Sequence, residues 1–107
     1  MTPQEPFKII PAREVAQHIA AIDRQYHSLI RSTIKEKLSY DPETETRNRK
    51  PLRRPSQIGA AWELRLGLNN EFRVFYQTNI DEREVYLLAV AVKIGNQLFV
   101  SGKEFEL

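Results

Sequence analysis

Arg65 and Arg73 are the residues of this 107-residue sequence whose placement first suggests chemistry. Each lies in an alternating segment, Trp62-Glu63-Leu64-Arg65-Leu66 and Phe72-Arg73-Val74-Phe75-Tyr76, with the period of two that fits half-buried strands. Gly67 to Glu71, between them, has turn composition. Opposing Leu66 to Phe72 sets Leu64 across from Val74 and Trp62 across from Tyr76, so all six apolar side chains share one face. The other face then carries Arg65 opposite Arg73 and Glu63 opposite Phe75. Directly opposed like charges destabilise an antiparallel pair by up to about 1 kcal/mol. The arrangement calls for an anion, either a protein carboxylate such as Glu63 or Glu71 or a ligand phosphate. Surface ion pairs are common and often energetically minor, so both readings stand.

Extending the sheet with residue 73 opposite residue 91 brings Ala89, Ala91 and Lys93 onto the arginine face. The two alanines predict a shallow depression beside the bases. A second concentration of cations is the run RNRKPLRR, which holds Arg47, Arg49, Lys50, Arg53 and Arg54 and follows Asp41, Glu43 and Glu45. Such a run attracts phosphate without reading sequence, and it also suits a solvated loop. The formal net charge is only +2, yet residues 55–107 carry five bases against seven acids. The positive charge is therefore segregated.

Other chemistries are excluded or weak. The chain has no cysteine, which removes a disulfide framework, a thiolate metal site and a cysteine nucleophile. His18 and His27 lie about 180° apart on a continuous helix and make no ligand pair there; both read as surface or boundary residues. There is no HExxH, glycine-rich phosphate loop, zinc-ligand spacing or EF-hand loop, so the expectation is no metal and no cofactor. Asp81, Glu82 and Glu84 read as a solvated turn, and Trp62 as core. Phe75 is the better-placed aromatic for stacking on a nucleotide, although packing is its simpler reading.

The elements that must position these groups follow from pattern. Phe7 to Ile10 reads as a first strand, bounded by Pro6 and Pro11. Val15, Ile19, Ile22, Tyr26, Leu29, Ile30, Ile34 and Leu38 then recur in steps of three and four, an amphipathic helical region. Asp23 is placed to cap a second helix, while the unbroken stripe also permits one long helix. Pro42 and the polar run to Pro55 end this region. Three strands follow, the third (Glu84 to Ile94) apolar enough to be central or covered on both faces, and Leu98-Phe99-Val100 precedes a short tail. The expectation is one α+β domain over residues 1–107: an antiparallel sheet of about four strands with the helical region, a helix pair or one long helix, on one face. At 41% hydrophobic and 28% charged, the composition is that of a globular chain. The longest apolar run, Leu87 to Val92, is far short of the ~20 residues that span a bilayer. With no basic-then-apolar leader, the sequence predicts a cytoplasmic protein with no membrane contact.

Thr46-Arg47-Asn48-Arg49-Lys50-Pro51-Leu52, Trp62-Glu63-Leu64-Arg65, Phe72-Arg73-Val74-Phe75-Tyr76, Val90-Ala91-Val92-Lys93 and Leu98-Phe99-Val100, in this order, resemble the RelE/ParE superfamily. These are toxins of bacterial and archaeal type II toxin–antitoxin modules. The resemblance covers most of the chain. It implies a compact toxin held inactive by a cognate antitoxin that wraps across its sheet and helices, with DNA contacted only through the antitoxin. RelE-type members cut mRNA in the ribosomal decoding site with basic residues of the open sheet face, whereas ParE-type members share the fold and poison DNA gyrase. Carried over, Arg73 looks like the strand arginine that stabilises the scissile phosphate, Arg65 like a second basic position, and Lys93 lies near the basic pair ending the last long strand. Glu63 as base and Lys93 as a partly desolvated acid or base would complete the set, with Arg47, Arg49, Lys50, Arg53 and Arg54 binding RNA. Departures from the pattern are Glu63 and Arg65 where some members carry two bases, Ile94 where an arginine would follow the lysine, and Phe99 in place of a tyrosine or histidine acid. The resemblance therefore implies an mRNA endoribonuclease that inhibits translation; the alternatives are a ParE-like gyrase inhibitor or a catalytically weak RNA- or antitoxin-binding homologue.

Overall fold

The computed structural model describes residues 5–53 and 56–106. Strand β1 (Lys8–Pro11) leads into helix α1 (Val15–Ala20), a 3₁₀ turn (Arg24–Tyr26) and helix α2 (His27–Leu38). Strands β2 (Arg49–Pro51), β3 (Trp62–Leu66), β4 (Phe72–Asn79), β5 (Glu84–Ile94), β6 (Gln97–Val100) and β7 (Lys103–Phe105) complete the chain.

The helical region is a pair. Asp23 leaves the helical conformation (φ −49°, ψ 131°), and its carboxylate accepts a hydrogen bond from Gln25 N at 3.1 Å, which starts the next turn. Val15, Ile19, Ile22, Ile30, Ile34 and Leu38 are buried against Leu64, Leu66, Phe72, Val74, Tyr76, Val85, Leu87 and Val90 of the sheet. Of the predicted stripe, Leu29 is exposed instead.

The sheet has seven strands among the described residues, not about four, in the order β2-β3-β4-β5-β6-β7 with β1 against β5. The added strands are β2 and β7, of three residues each, and β6, of four; all are too short to show a clear alternating pattern, and β2 lies inside the basic run. The sheet is also mixed rather than antiparallel throughout, because β1 pairs with β5 in parallel. The length of β5 explains this: β4 takes one edge, while β1 pairs with residues 84–87 and β6 with residues 92–94 on the other. Between those two partners, Val90 N donates to Nδ1 of His18 at 3.3 Å, so α1 covers the stretch of edge that no strand reaches. Burial holds the His18 imidazole below its ordinary pKa, against the opposing pull of Glu14.

The second face of the sheet is covered as well. Ala60, Phe75, Ala89 and Ala91 are fully or almost fully buried, and Leu52, Leu98, Val100 and Phe105 pack against them. The centrally placed β5 is therefore sandwiched between two apolar clusters, as its composition suggested.

A candidate phosphate site on the sheet

Strands β3 and β4 pair in the predicted register: Leu66 with Phe72, Arg65 with Arg73, Leu64 with Val74, Glu63 with Phe75 and Trp62 with Tyr76. Arg73 also pairs with Ala91, and a bulge between Phe75 and Tyr76 shifts the register only below that point. The hairpin between the strands is tight. Gly67 (φ +85°) leaves room for the Phe72 ring, and a Cβ at that position would lie 2.7 Å from it. Asn69 and Asn70 follow with left-handed φ of 57° and 53°, a region asparagine tolerates better than most residues.

The anion that the arginine pair calls for is supplied by Glu63. Its Oε1 accepts from Arg65 Nε at 2.5 Å and from Arg73 Nη1 at 2.9 Å. The Glu63 side chain is 5% exposed, Arg73 10% and Arg65 37%. Arg73 Nε also donates to Asn70 O at 3.1 Å, so Arg73 is held from two directions. The Arg65 side chain is held by Glu63 alone among the described residues, which leaves its terminal nitrogens available. The three side chains form a cage with one surplus positive charge, a composition suited to a phosphate oxygen.

Two asparagines that sequence reasoning did not single out set this cage. Arg65 N donates to Asn48 O at 2.8 Å, and Asn48 Nδ2 donates to Arg65 O and to Asn70 Oδ1, both at 3.2 Å. Asn48 thus ties β3 to the hairpin that carries Arg73. The Asn69-Asn70 pair in a short turn was the one available signal, since asparagine is common where φ is positive.

The remaining candidates make no contact with the cage side chains among the described hydrogen bonds and ion pairs. Lys50 pairs with Glu63 across β2 and β3, and its Nζ lies 3.8 Å from Glu45 in an exposed pair. Lys93, next to last in β5, lies on the same face and is exposed, not partly desolvated as expected. Arg47 and Arg53 are exposed, and Arg54 lies outside the described residues. Arg49 differs from its neighbours: only 9% exposed, it donates to Thr44 O at 3.0 Å and to Lys37 O at 2.6 Å, joining the loop to the end of α2. Nearby, Tyr76 OH donates to Pro42 O at 2.6 Å, and burial holds its phenol protonated well beyond the usual range.

The predicted depression is not open. Phe75 is fully buried with its ring 5.5 Å from that of Phe105, over Ala89 and Ala91. Stacking of a nucleotide on Phe75 is excluded by this contact. Trp62 stacks instead on Tyr76 at 6.3 Å, on the helical side. His27 Nε2 lies 2.7 Å from Ile22 O, and the two histidines serve separate contacts of the helical layer. No metal-holding cluster of His, Asp or Glu occurs among the described residues.

A two-helix layer on one face of the sheet and an arginine pair on the other are the arrangement that the motifs led us to expect. The chain is similar in structure to a chain of the RelBE2 toxin–antitoxin complex from Mycobacterium tuberculosis, with a TM-score of 0.68, 18% identity, and coverage of 87% of this chain and 98% of that one. No protein-family model matches the sequence, and no curated relative does. No helix among the described residues is long and apolar enough to cross a membrane.

Proposed function

We propose that this protein is a RelE-like toxin of a type II toxin–antitoxin module, acting as an mRNA endoribonuclease and neutralised by a cognate antitoxin. The observation that carries the reading is the facing pair of Arg65 and Arg73, one buried and one half-exposed, on a sheet of RelE-like fold. Attack by an RNA 2′-hydroxyl on its own neighbouring phosphate gathers negative charge on the phosphoryl oxygens. Preorganised guanidiniums stabilise that charge most where water is partly excluded. Arg73, fixed by Asn70 and Glu63, orients the phosphate, and Arg65 closes on it. Glu63 is the base for the 2′-hydroxyl proton, and Lys93 is the proton donor this set offers to the leaving oxygen. Arg47, Lys50 and Arg53 track the flanking phosphates electrostatically, and Arg49 supports the loop that bears them. The neighbouring structure, a toxin–antitoxin complex, supports an antitoxin partner.

The experiment is to map cuts in mRNA from translating extracts with and without the protein. Cleavage that disappears in Arg65→Ala and Arg73→Ala supports the assignment. Intact RNA, or cuts that persist in both variants, overturns it.

A second reading is favoured by the covered depression and by the carboxylate already seated between the arginines: a non-cleaving toxin of the same fold, of the ParE kind. It predicts inhibited gyrase supercoiling with RNA left intact, and normal supercoiling at high protein excess removes it.

A further inference from the structure

We propose that Glu63 is an internal anion, holding the seat between Arg65 and Arg73 in the free protein, and that an incoming phosphate or phosphodiester draws Arg65 away while Arg73 stays in place. The inference rests on reading the arginine pair as a phosphate site, and it adds how that site is kept closed.

The asymmetry of the cage carries the argument. Arg73 bonds Glu63 through Nη1 and Asn70 O through Nε, and its side chain is 10% exposed. Its pair with the 5% exposed Glu63 is buried, and breaking such a pair strands an uncompensated charge. Arg65 has one contact in the cage, through Nε, and its side chain is 37% exposed. A half-exposed ion pair of this kind opens at small cost. The backbone of Arg65 is clamped on both sides by Asn48, so the movement is confined to the side chain. Electrostatics favours the exchange: one carboxylate faces two guanidiniums, with Lys50 and Lys93 on the same face. An arriving oxyanion meets a surplus of positive charge, while Glu63 keeps Arg73 neutralised. In the absence of substrate, the same carboxylate lowers the affinity of the seat for adventitious anions.

The test compares the wild-type protein with Glu63→Gln and Glu71→Gln. Binding is read by fluorescence anisotropy with a labelled 2′-O-methyl RNA oligonucleotide, which lacks the attacking hydroxyl, at one fixed salt concentration. Glu63→Gln should bind about threefold to fivefold tighter, the size of one half-exposed ion pair. Glu71→Gln removes the same charge outside the cage and should change binding less. In parallel, inorganic phosphate is titrated into the ¹⁵N-labelled wild-type protein while the arginine Nε–Hε resonances are followed. The Arg65 signal should move further than the Arg73 signal, because Arg73 Nε stays bonded to Asn70 O.

Equal or weaker binding by a folded Glu63→Gln overturns the proposal, as does an Arg73 signal that moves while that of Arg65 does not. If the variant does not fold, the titration of the wild type decides. The outcome is separable from the nuclease reading. Intact RNA together with tighter binding by Glu63→Gln retires cleavage and keeps the internal anion. Cleavage by the wild type with equal affinities does the reverse.

Discussion

Removing Arg73 is the perturbation that tests the cage most sharply as a piece of structure. Arg73→Ala leaves the Glu63 carboxylate, 5% exposed, with Arg65 as its remaining partner at 2.5 Å. Stripping one member from a fully buried pair costs about 3–5 kcal/mol, whereas exposed pairs are worth about 0.2–1 kcal/mol. Because Arg65 stays in place and is half-exposed, the cost at Glu63 falls between these limits. Loss of the Arg73 bond to Asn70 O adds about 1 kcal/mol. The sum for Arg73→Ala is about 2–4 kcal/mol. Arg65→Ala should cost about 1 kcal/mol or less, since it removes the exposed member and leaves the buried pair intact. Urea denaturation measures both through the midpoint, with an unchanged slope showing that the denatured state is not the cause. Glu63→Gln combined with Arg73→Ala should cost less than the sum of the two single changes, because either one alone strands a charge. If Arg65→Ala destabilised as much as Arg73→Ala, or if the two changes at Glu63 and Arg73 were additive, the buried-pair reasoning would fail.

Three further outcomes are expected. Gly67→Ala should destabilise by more than 1 kcal/mol, because its Cβ meets the Phe72 ring at 2.7 Å and φ is +85°; a midpoint equal to wild type would contradict this. His18 sits below its ordinary pKa of 6.5, so folding favours the neutral imidazole, and the stability it contributes is present above pH 6.5 and lost as pH falls below that value. His18→Gln, which offers an uncharged acceptor to Val90 N, should flatten that part of the stability–pH curve between about pH 7 and 5, and parallel curves would refute the latch. RNA binding should weaken steeply with salt, and removing Arg47, Lys50 and Arg53 together should lower the log–log slope by about 2, at roughly 0.7 per single-strand phosphate contact; a flat salt dependence would remove the basic run from the interface.

The legibility of this site varied from residue to residue, for physical reasons. The Arg65–Arg73 opposition was readable because side-chain direction in a strand has a period of two, and the apolar faces of β3 and β4 admit only one register. The carboxylate between the arginines was one of two readings left open, since facing bases attract protein and ligand anions alike. The filled depression was not readable. Phe105 reaches Phe75 through the curl of the sheet across β5 and β6, and residue periodicity does not encode curvature. Nor does it separate Arg49 from Arg47 and Lys50: three cations within four residues look alike until β2 pairs with β3 and turns one of them inward. The missing strands β2, β6 and β7 have three or four residues each, too few for alternation to be recognised. The parallel pairing of β1 depends on where the helix pair returns the chain, a tertiary outcome.

The central claim is that facing arginines on this sheet act on the RNA backbone. Its most direct measurement is the mapping of mRNA ends in a translating extract given wild-type, Arg65→Ala or Arg73→Ala protein. New 5′ ends with the wild type, lost when either arginine is removed from a protein that still folds, are the predicted result. No new ends with the wild type, or the same ends with both variants, contradicts the claim.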